Sequence, residues 1–163
     1  MNIRLASILA NVASALLLPG LPTTAWAQTI IGVASVVDGD TIEIHGQRIR
    51  LHGIDAPESR QGCTHRNGTS WRCGQQASLA LADHIGTATV RCEPHGHDRY
   101  RRIIAVCFKR AEDLNRWMVT SGWAVAYRKY SLDYVADEEK AHRAGLQLWS
   151  GTFEMPWDWR LHK

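Results

Sequence analysis

Val36-Val37-Asp38-Gly39-Asp40-Thr41 and, a few residues on, Arg50-Leu51-His52-Gly53-Ile54-Asp55-Ala56-Pro57-Glu58 decide how this chain folds. Between them the sequence alternates with the period of a strand. Ile42 and Ile44 face one way and Glu43 and His45 the other. Gly46-Gln47 can turn the chain, after which Arg48, Arg50 and His52 share the face opposite Ile49 and Leu51. Upstream, Thr29 to Val37 is β-branched and apolar, a strand by composition. Asp-Gly between two strands is first of all a hairpin turn. Pairing of these strands would nevertheless bring Asp40, at a strand start, to the same sheet end as Asp55 and Glu58, just past another strand. Clustered carboxylates repel one another, so they call for a cation, and oxygen-only ligands suit a hard ion such as Ca²⁺ or Mg²⁺. An EF-hand loop is excluded, because Ile49 stands where its twelfth-position Glu would be.

Downstream, the polar, Gly-rich stretch Ser59–Gly74 reads as a long loop, and Gln75–Ile85, rich in Ala and Leu, as a helix. Thr89–Cys92 and Arg102–Phe108 read as strands around the charged turn His95–Arg101. Asp113 can cap a helix with Leu114, Trp117, Met118 and Ser121 on one face, and Gly122 ends it. Trp123–Tyr127 reads as a short strand. A last helix is expected over Tyr134–Trp149, with Ala141, Ala144, Gly145 and Leu148 on one face. The tail Ser150–Lys163 carries Trp157 and Trp159 but shows no period. Short strands in succession, with helices between and after them, give an α+β class built on a small closed or partly closed barrel.

The chain has 163 residues, 45% hydrophobic and 21% charged, which fits one globular domain and excludes a disordered or fibrous chain. Its net charge of +3 permits a polyanionic partner without arguing for one. Arg4 is the only charge before Asp38, and Leu5–Leu18 is an apolar run shorter than the roughly 20 residues a membrane helix needs. With Ala25-Trp26-Ala27 behind it, residues 1–27 read as a signal peptide cleaved before Gln28. The expected mature domain is therefore residues 28–163, exported to the periplasm or beyond the cell, off the membrane and monomeric. All four cysteines lie in that part. They suit two disulfides in an oxidising compartment, with three possible pairings. Cys92–Cys107 is favoured because both flank a turn centred near Arg99-Tyr100, which leaves Cys63 and Cys73 to staple the polar loop. A metal site from Cys63, His65 and Cys73 is the weaker alternative, since its spacing fits no strong zinc pattern.

Arg50 and the basic run Arg99-Tyr100-Arg101-Arg102 add guanidinium groups to the acidic set. A lone arginine run is usually a solvated turn. Carboxylates, a hard cation and arginines together are what phosphoryl transfer uses: cationic groups stabilise charge on phosphorus while a carboxylate prepares water.

The order and spacing of Val37-Asp38-Gly39-Asp40-Thr41, Arg50-Leu51-x-x-Ile54-Asp55-x-Pro57-Glu58 and Asp98-Arg99-Tyr100-x-Arg102-x-x-Ala105 resemble the staphylococcal nuclease family. Gly122-Trp123-Ala124 before Tyr127, and Gly145-Leu146-x-x-Trp149, continue the likeness, which covers about Ile30 to Trp149. The resemblance implies an OB-type five-stranded β-barrel with three α-helices and calcium-dependent hydrolysis of DNA and RNA, single-stranded or frayed, leaving 3′-phosphate ends. Carried across, Asp40 and Asp55 would be carboxylate ligands of the ion and Ala56 would offer its backbone carbonyl. Glu58 matches the general base, Arg50 and Arg102 the arginines on the scissile phosphate, and Arg99 and Tyr127 the residues that contact terminal phosphate and nucleotide; Tyr100, between the arginines, is a further substrate-binding candidate. Three positions depart from the pattern. Arg101 stands where the family usually has glycine, Lys129 where it often has a second tyrosine, and the Cys63–Cys73 loop is longer.

Two other classes compete: an OB-type module that binds single strands and catalyses nothing, and an exported structural protein whose acids bind calcium for stability. His95 and His97 read as exposed turn residues, Asn67-Gly68-Thr69 as a formal glycosylation sequon, and Trp117, Trp123 and Trp149 as core.

Overall fold

The computed structural model describes residues 28–162, so the expected signal peptide lies outside the described residues. The chain opens with β1 (Ile30–Val33), β2 (Ser35–Asp38), β3 (Thr41–Ile44), β4 (Gln47–Leu51) and the two-residue β5 (Ile54–Asp55). A loop carrying β6 (Cys63–His65) and β7 (Ser70–Trp71) leads into α1 (Cys73–Ile85). Then follow β8 (Thr89–His97), β9 (Ile103–Lys109), β10 (Glu112–Asp113), α2 (Leu114–Thr120), β11 (Val125–Ala126) and α3 (Val135–Ala144). The last stretch holds a 3₁₀ turn at Gln147–Ser150, β12 (Gly151–Thr152), a short helix α4 (Pro156–Trp159) and a 3₁₀ turn at Arg160–His162.

The main sheet runs β1-β8-β9-β4-β3-β2, with β10 on β9. β4 and β9 are parallel and the other pairs antiparallel. Counting β1 and β2 as one strand broken at Ala34, five strands curl into a half-barrel, and the fold is α+β of the OB type, as expected. Closure is tight. A β-carbon on Gly32 would lie 2.6 Å from Ile44, and the His45 ring reaches the Ile31 carbonyl at 3.0 Å. Ile42, Ile44, Ile49, Leu51, Leu81, Val90, Leu114 and Met118 fill the interior. Each such burial stabilises by roughly 1.5–3 kcal/mol.

The alternation read across β3 and β4 holds, but the turn is His45-Gly46, with φ of 52° and 75°. Two left-handed residues make the mirror-image turn that suits strand twist. The Thr89–Cys92 strand extends to His97, and α1 begins at Cys73 rather than Gln75. Only Val125–Ala126 of the Trp123–Tyr127 stretch is strand, since its partner β5 is two residues long. The last helix ends at Ala144, not Trp149: Gly145 turns left-handed at φ 63° and caps it. The tail, which showed no period, is built. β12 pairs with β6, and with α4 there are four α-helices among the described residues where three were expected.

Both disulfides form, Cys63–Cys73 and Cys92–Cys107, the latter between directly opposed residues of β8 and β9. No sulfur is left for the alternative metal site. Cys63, Cys73, Val125 and Leu148 nucleate a second small core, against which Trp71, Trp149, Phe153, Met155 and Trp157 pack. Trp117 and Trp123 pack on the main core. No described helix is long and apolar enough to cross a membrane.

Candidate active site

The two-residue loop Gly39-Asp40 joins β2 to β3, so the hairpin reading of Asp-Gly is also correct. Gly39 is required there, because a β-carbon would lie 2.7 Å from the Ala56 methyl and 3.1 Å from that of Ala77. The Asp40 carbonyl accepts the Leu51 N–H at 2.8 Å, which ties this loop to the end of β4. Asp55 is fixed by pairing of β5 with β11, opposite Val125. Buried Asn115 braces the intervening turn, donating to the carbonyls of His52 (2.9 Å) and Ala105 (3.2 Å) and accepting the Cys107 N–H. Glu58 follows on the next turn; a β-carbon on Gly74 would lie 1.7 Å from its carbonyl oxygen, so the start of α1 abuts it directly.

These segments bring the carboxylates and Arg50 together. Arg50 Nη2 lies 2.9 Å from Asp40 Oδ2 and 2.7 Å from Asp55 Oδ1, and Nη1 donates to Asp40 Oδ1 at 3.2 Å. Asp40 also accepts from the Thr41 hydroxyl and the Ala56 N–H. Burial pushes the Asp40 carboxyl up to about 6 against the opposing pull of Arg50, and neighbouring Asp38 adds to the rise. Burial likewise raises Asp55, although bonds from Arg160 oppose it. The two carboxylates share Arg50 Nη2, and Asp55 is paired with Arg160 as well, so two guanidinium groups face the pair. Among the described residues no set of three or more His, Cys, Asp or Glu side chains surrounds an ion-sized space. An ion here would therefore rest on the Asp40–Asp55 pair, backbone oxygen and water, a donor set that suits a hard cation.

Asp40, Arg50, Ala56, Glu58, Arg99, Tyr100, Arg102 and Tyr127 all line one cleft of about 1670 Å³. Asp55 sits beneath it, fully buried. Arg102 is held by Asp98, whose Oδ2 accepts its Nε at 2.7 Å while Oδ1 accepts the N–H groups of Tyr100 and Arg102. Burial works against ionisation of Asp98, but these bonds outweigh it and hold the carboxyl below its ordinary value. The pair uses Nε, so both Nη groups of Arg102 lie outside it. Arg101, at φ 65°, takes the left-handed conformation for which glycine is the usual residue, and it does not line the cleft. The turn therefore forms with arginine in place. Arg99 lies over the exposed Tyr100 ring, 4.8 Å from its centre.

Also lining the cleft, Tyr127 stacks on Trp157 at 5.2 Å and meets Tyr130 edge-on. Trp157 adds an aromatic face to the cleft, which Lys129, standing where the pattern often has a second tyrosine, also lines. His95 and His97 belong to β8 rather than a turn, and His95 stacks on His52 in the cleft at 4.8 Å. Burial and His95 lower the pKa of His52.

Sequence reasoning gave no site role to Trp157 or Arg160, and both line the cleft. Arg160 Nη1 donates to Glu58 Oε1 (2.8 Å) and Asp55 Oδ1 (3.1 Å), and Nη2 to Asp55 Oδ2 (2.7 Å). The one available signal was Pro156, which suits the first position of a helix.

The family pattern described as staphylococcal nuclease homologue matches residues 48–151. The chain is 33% identical to a micrococcal nuclease of Shigella flexneri, over 98% of this chain and 95% of that one. It is 40% identical to the succinoglycan biosynthesis protein ExoI of Rhizobium meliloti, over 76% of this chain and 66% of the relative's length. An uncharacterized endonuclease of Haemophilus influenzae is 33% identical, over 78% of this chain and 71% of its own. With a curled OB-type sheet, an acid-and-arginine cleft at its mouth and these likenesses together, the chain belongs to the staphylococcal nuclease homologue family.

Proposed function

We propose that this protein is an exported, monomeric, calcium-dependent nuclease that hydrolyses phosphodiester bonds of single-stranded or frayed DNA and RNA and leaves 3′-phosphate ends. The observation that carries the reading is the convergence of Arg50, Glu58 and Arg102 on one cleft above the Asp40–Asp55 pair. Nucleic-acid hydrolysis is also what the printed names of several relatives describe.

Arg50, fixed by the two carboxylates, presents positive charge to the scissile phosphate from one side. Arg102, fixed by Asp98, presents its Nη groups from the β8–β9 turn. Both hold the phosphate more tightly as negative charge builds on it. Glu58, a third exposed, accepts the proton of the attacking water. Asp40 and Asp55, with the Ala56 backbone carbonyl, would hold calcium, which when bound supplies further positive charge to the phosphate. Arg99 and Tyr100 would meet a neighbouring phosphate, and Tyr127, backed by Trp157, a base.

The deciding experiment is digestion of single-stranded DNA by the purified mature protein with calcium or with chelator, followed by end-group analysis. Calcium-dependent fragments ending in 3′-phosphate support the reading. Binding without cleavage would instead indicate a single-strand-binding module. A calcium-induced rise in melting temperature without cleavage would indicate a structural role for the acids.

A further inference from the structure

The segment that ends in Arg160 lies beyond the span matched by the family pattern, yet it reaches into the cleft. We propose that Arg160 is a positioning residue for the proton-accepting carboxylate of Glu58. The assignment rests on the nuclease reading above and adds a residue to it.

The geometry is that of an anchor and a tether. Asp55 is the anchor: it is fully buried, fixed in β5 and bonded to both Nη atoms of Arg160. Glu58 is the tethered group. Its side chain is 34% exposed, and Arg160 donates to its carboxylate at 2.8 Å. Without that bond a Glu side chain at a cleft surface samples several rotamers, and most aim its oxygens away from any single water. With it, Oε1 is held by Arg160 while the carboxylate belongs to a residue that lines the cleft. The planar guanidinium can bridge two carboxylates in this way.

Delivery of Arg160 is built into the rest of the fold. Fully buried Gln61 accepts the Glu58 N–H at 3.2 Å and donates to the Glu154 carbonyl at 2.6 Å, so one side chain fixes both the Glu58 backbone and the incoming tail. Upstream, β12 lies so close to β6 that a β-carbon on Gly151 would be 2.0 Å from the Thr64 carbonyl oxygen. Downstream, Trp157 is held by stacking on Tyr127. Tail and loop together carry Arg160 to the cleft.

The test compares wild type, Arg160→Ala, Arg160→Lys and Glu58→Gln in the full chain, with kcat and KM measured on single-stranded DNA at saturating calcium. Melting temperatures and calorimetric calcium titrations accompany the kinetics. Arg160→Ala is expected to lower kcat on the order of 10- to 100-fold with KM within about threefold, as for residues that orient a catalytic group. Guanidinium ion should restore part of that rate where sodium chloride does not. Arg160→Lys, which keeps a charge beside Asp55 and so protects the fold, should fall between alanine and wild type. An active wild type whose Arg160 variants match or exceed it overturns the proposal and leaves the nuclease reading intact. So does an alanine variant with weakened calcium binding whose kcat returns as calcium is raised, because the role would then lie at Asp55. An inactive wild type overturns the nuclease reading itself.

Discussion

Arg50 Nη2 lies 2.7 Å from Asp55 Oδ1, a contact in which the arginine side chain is 17% exposed and the aspartate not at all. Asp55 is thus paired with two guanidinium groups that line the cleft, Arg50 and Arg160. Removing one partner of such a buried pair strands a charge, which typically destabilises by about 3–5 kcal/mol. Arg50→Lys keeps the charge but loses the fork. It should retain the fold while turnover drops by at least ~10²-fold, measured as kcat beside a thermal melt. Wild-type turnover in that variant would remove Arg50 from the phosphate.

The same burial sets a pH dependence. Asp40 titrates at about 6 in the fold against an ordinary 3.8, so between those values the folded chain holds a proton that the unfolded chain has lost. The sign follows: this group's contribution to stability is present below about 4 and declines as pH rises through 6, by an amount on the order of 1–3 kcal/mol. Calcium would need the ionised carboxylate. The melting-temperature gain on adding calcium should therefore be large at pH 7.5 and small at pH 5, as thermal melts at both values will read. Equal gains at the two pH values would place the ion elsewhere.

Asp98 organises the second arginine by accepting Arg102 Nε and two turn N–H groups. Asp98→Ala should release Arg102 and lower kcat by roughly 10- to 100-fold with little change in melting temperature, because the turn is exposed. Arg102→Lys should fail to restore the rate, since an ammonium lacks the planar fork. Full activity of the lysine variant would direct attention to Arg101.

The two disulfides should separate by function. Cys63–Cys73 closes a short ring beneath the second core, worth about 3 kcal/mol in the chain-entropy picture. Its double serine variant should lose activity at 25 °C as the loop and tail that hold Glu58 and Arg160 loosen. Cys92–Cys107 staples two strands already paired in the sheet. Its double serine variant should melt earlier and keep kcat at 25 °C. The reverse pattern would detach the loop from the site.

Where long-range pairing followed from alternation, the sequence was readable. Ile42, Ile44, Ile49 and Leu51 face the core as their spacing requires, and Cys92 opposes Cys107. Asp113 accepts the Arg116 N–H as an N-cap should. Gly145 misled, because on a helical wheel it is indistinguishable from a small core residue, whereas its left-handed φ ends the helix. Trp157 and Arg160 were hidden for a different reason. Elements of two to four residues carry no period, and their placement depends on a disulfide loop and on buried Gln61, both far away in sequence. The acids and Arg50 were legible as residues. Their hydrogen-bond geometry, with Asp55 below the cleft surface, was not.

The most direct measurement is release of 3′-phosphate ends from single-stranded DNA in calcium by the protein and by its Glu58→Gln variant. The expected result is cleavage by the wild type, abolished by chelator, and a loss on the order of 10²–10⁴ in turnover for a folded variant. Equal turnover by the two proteins would contradict the account.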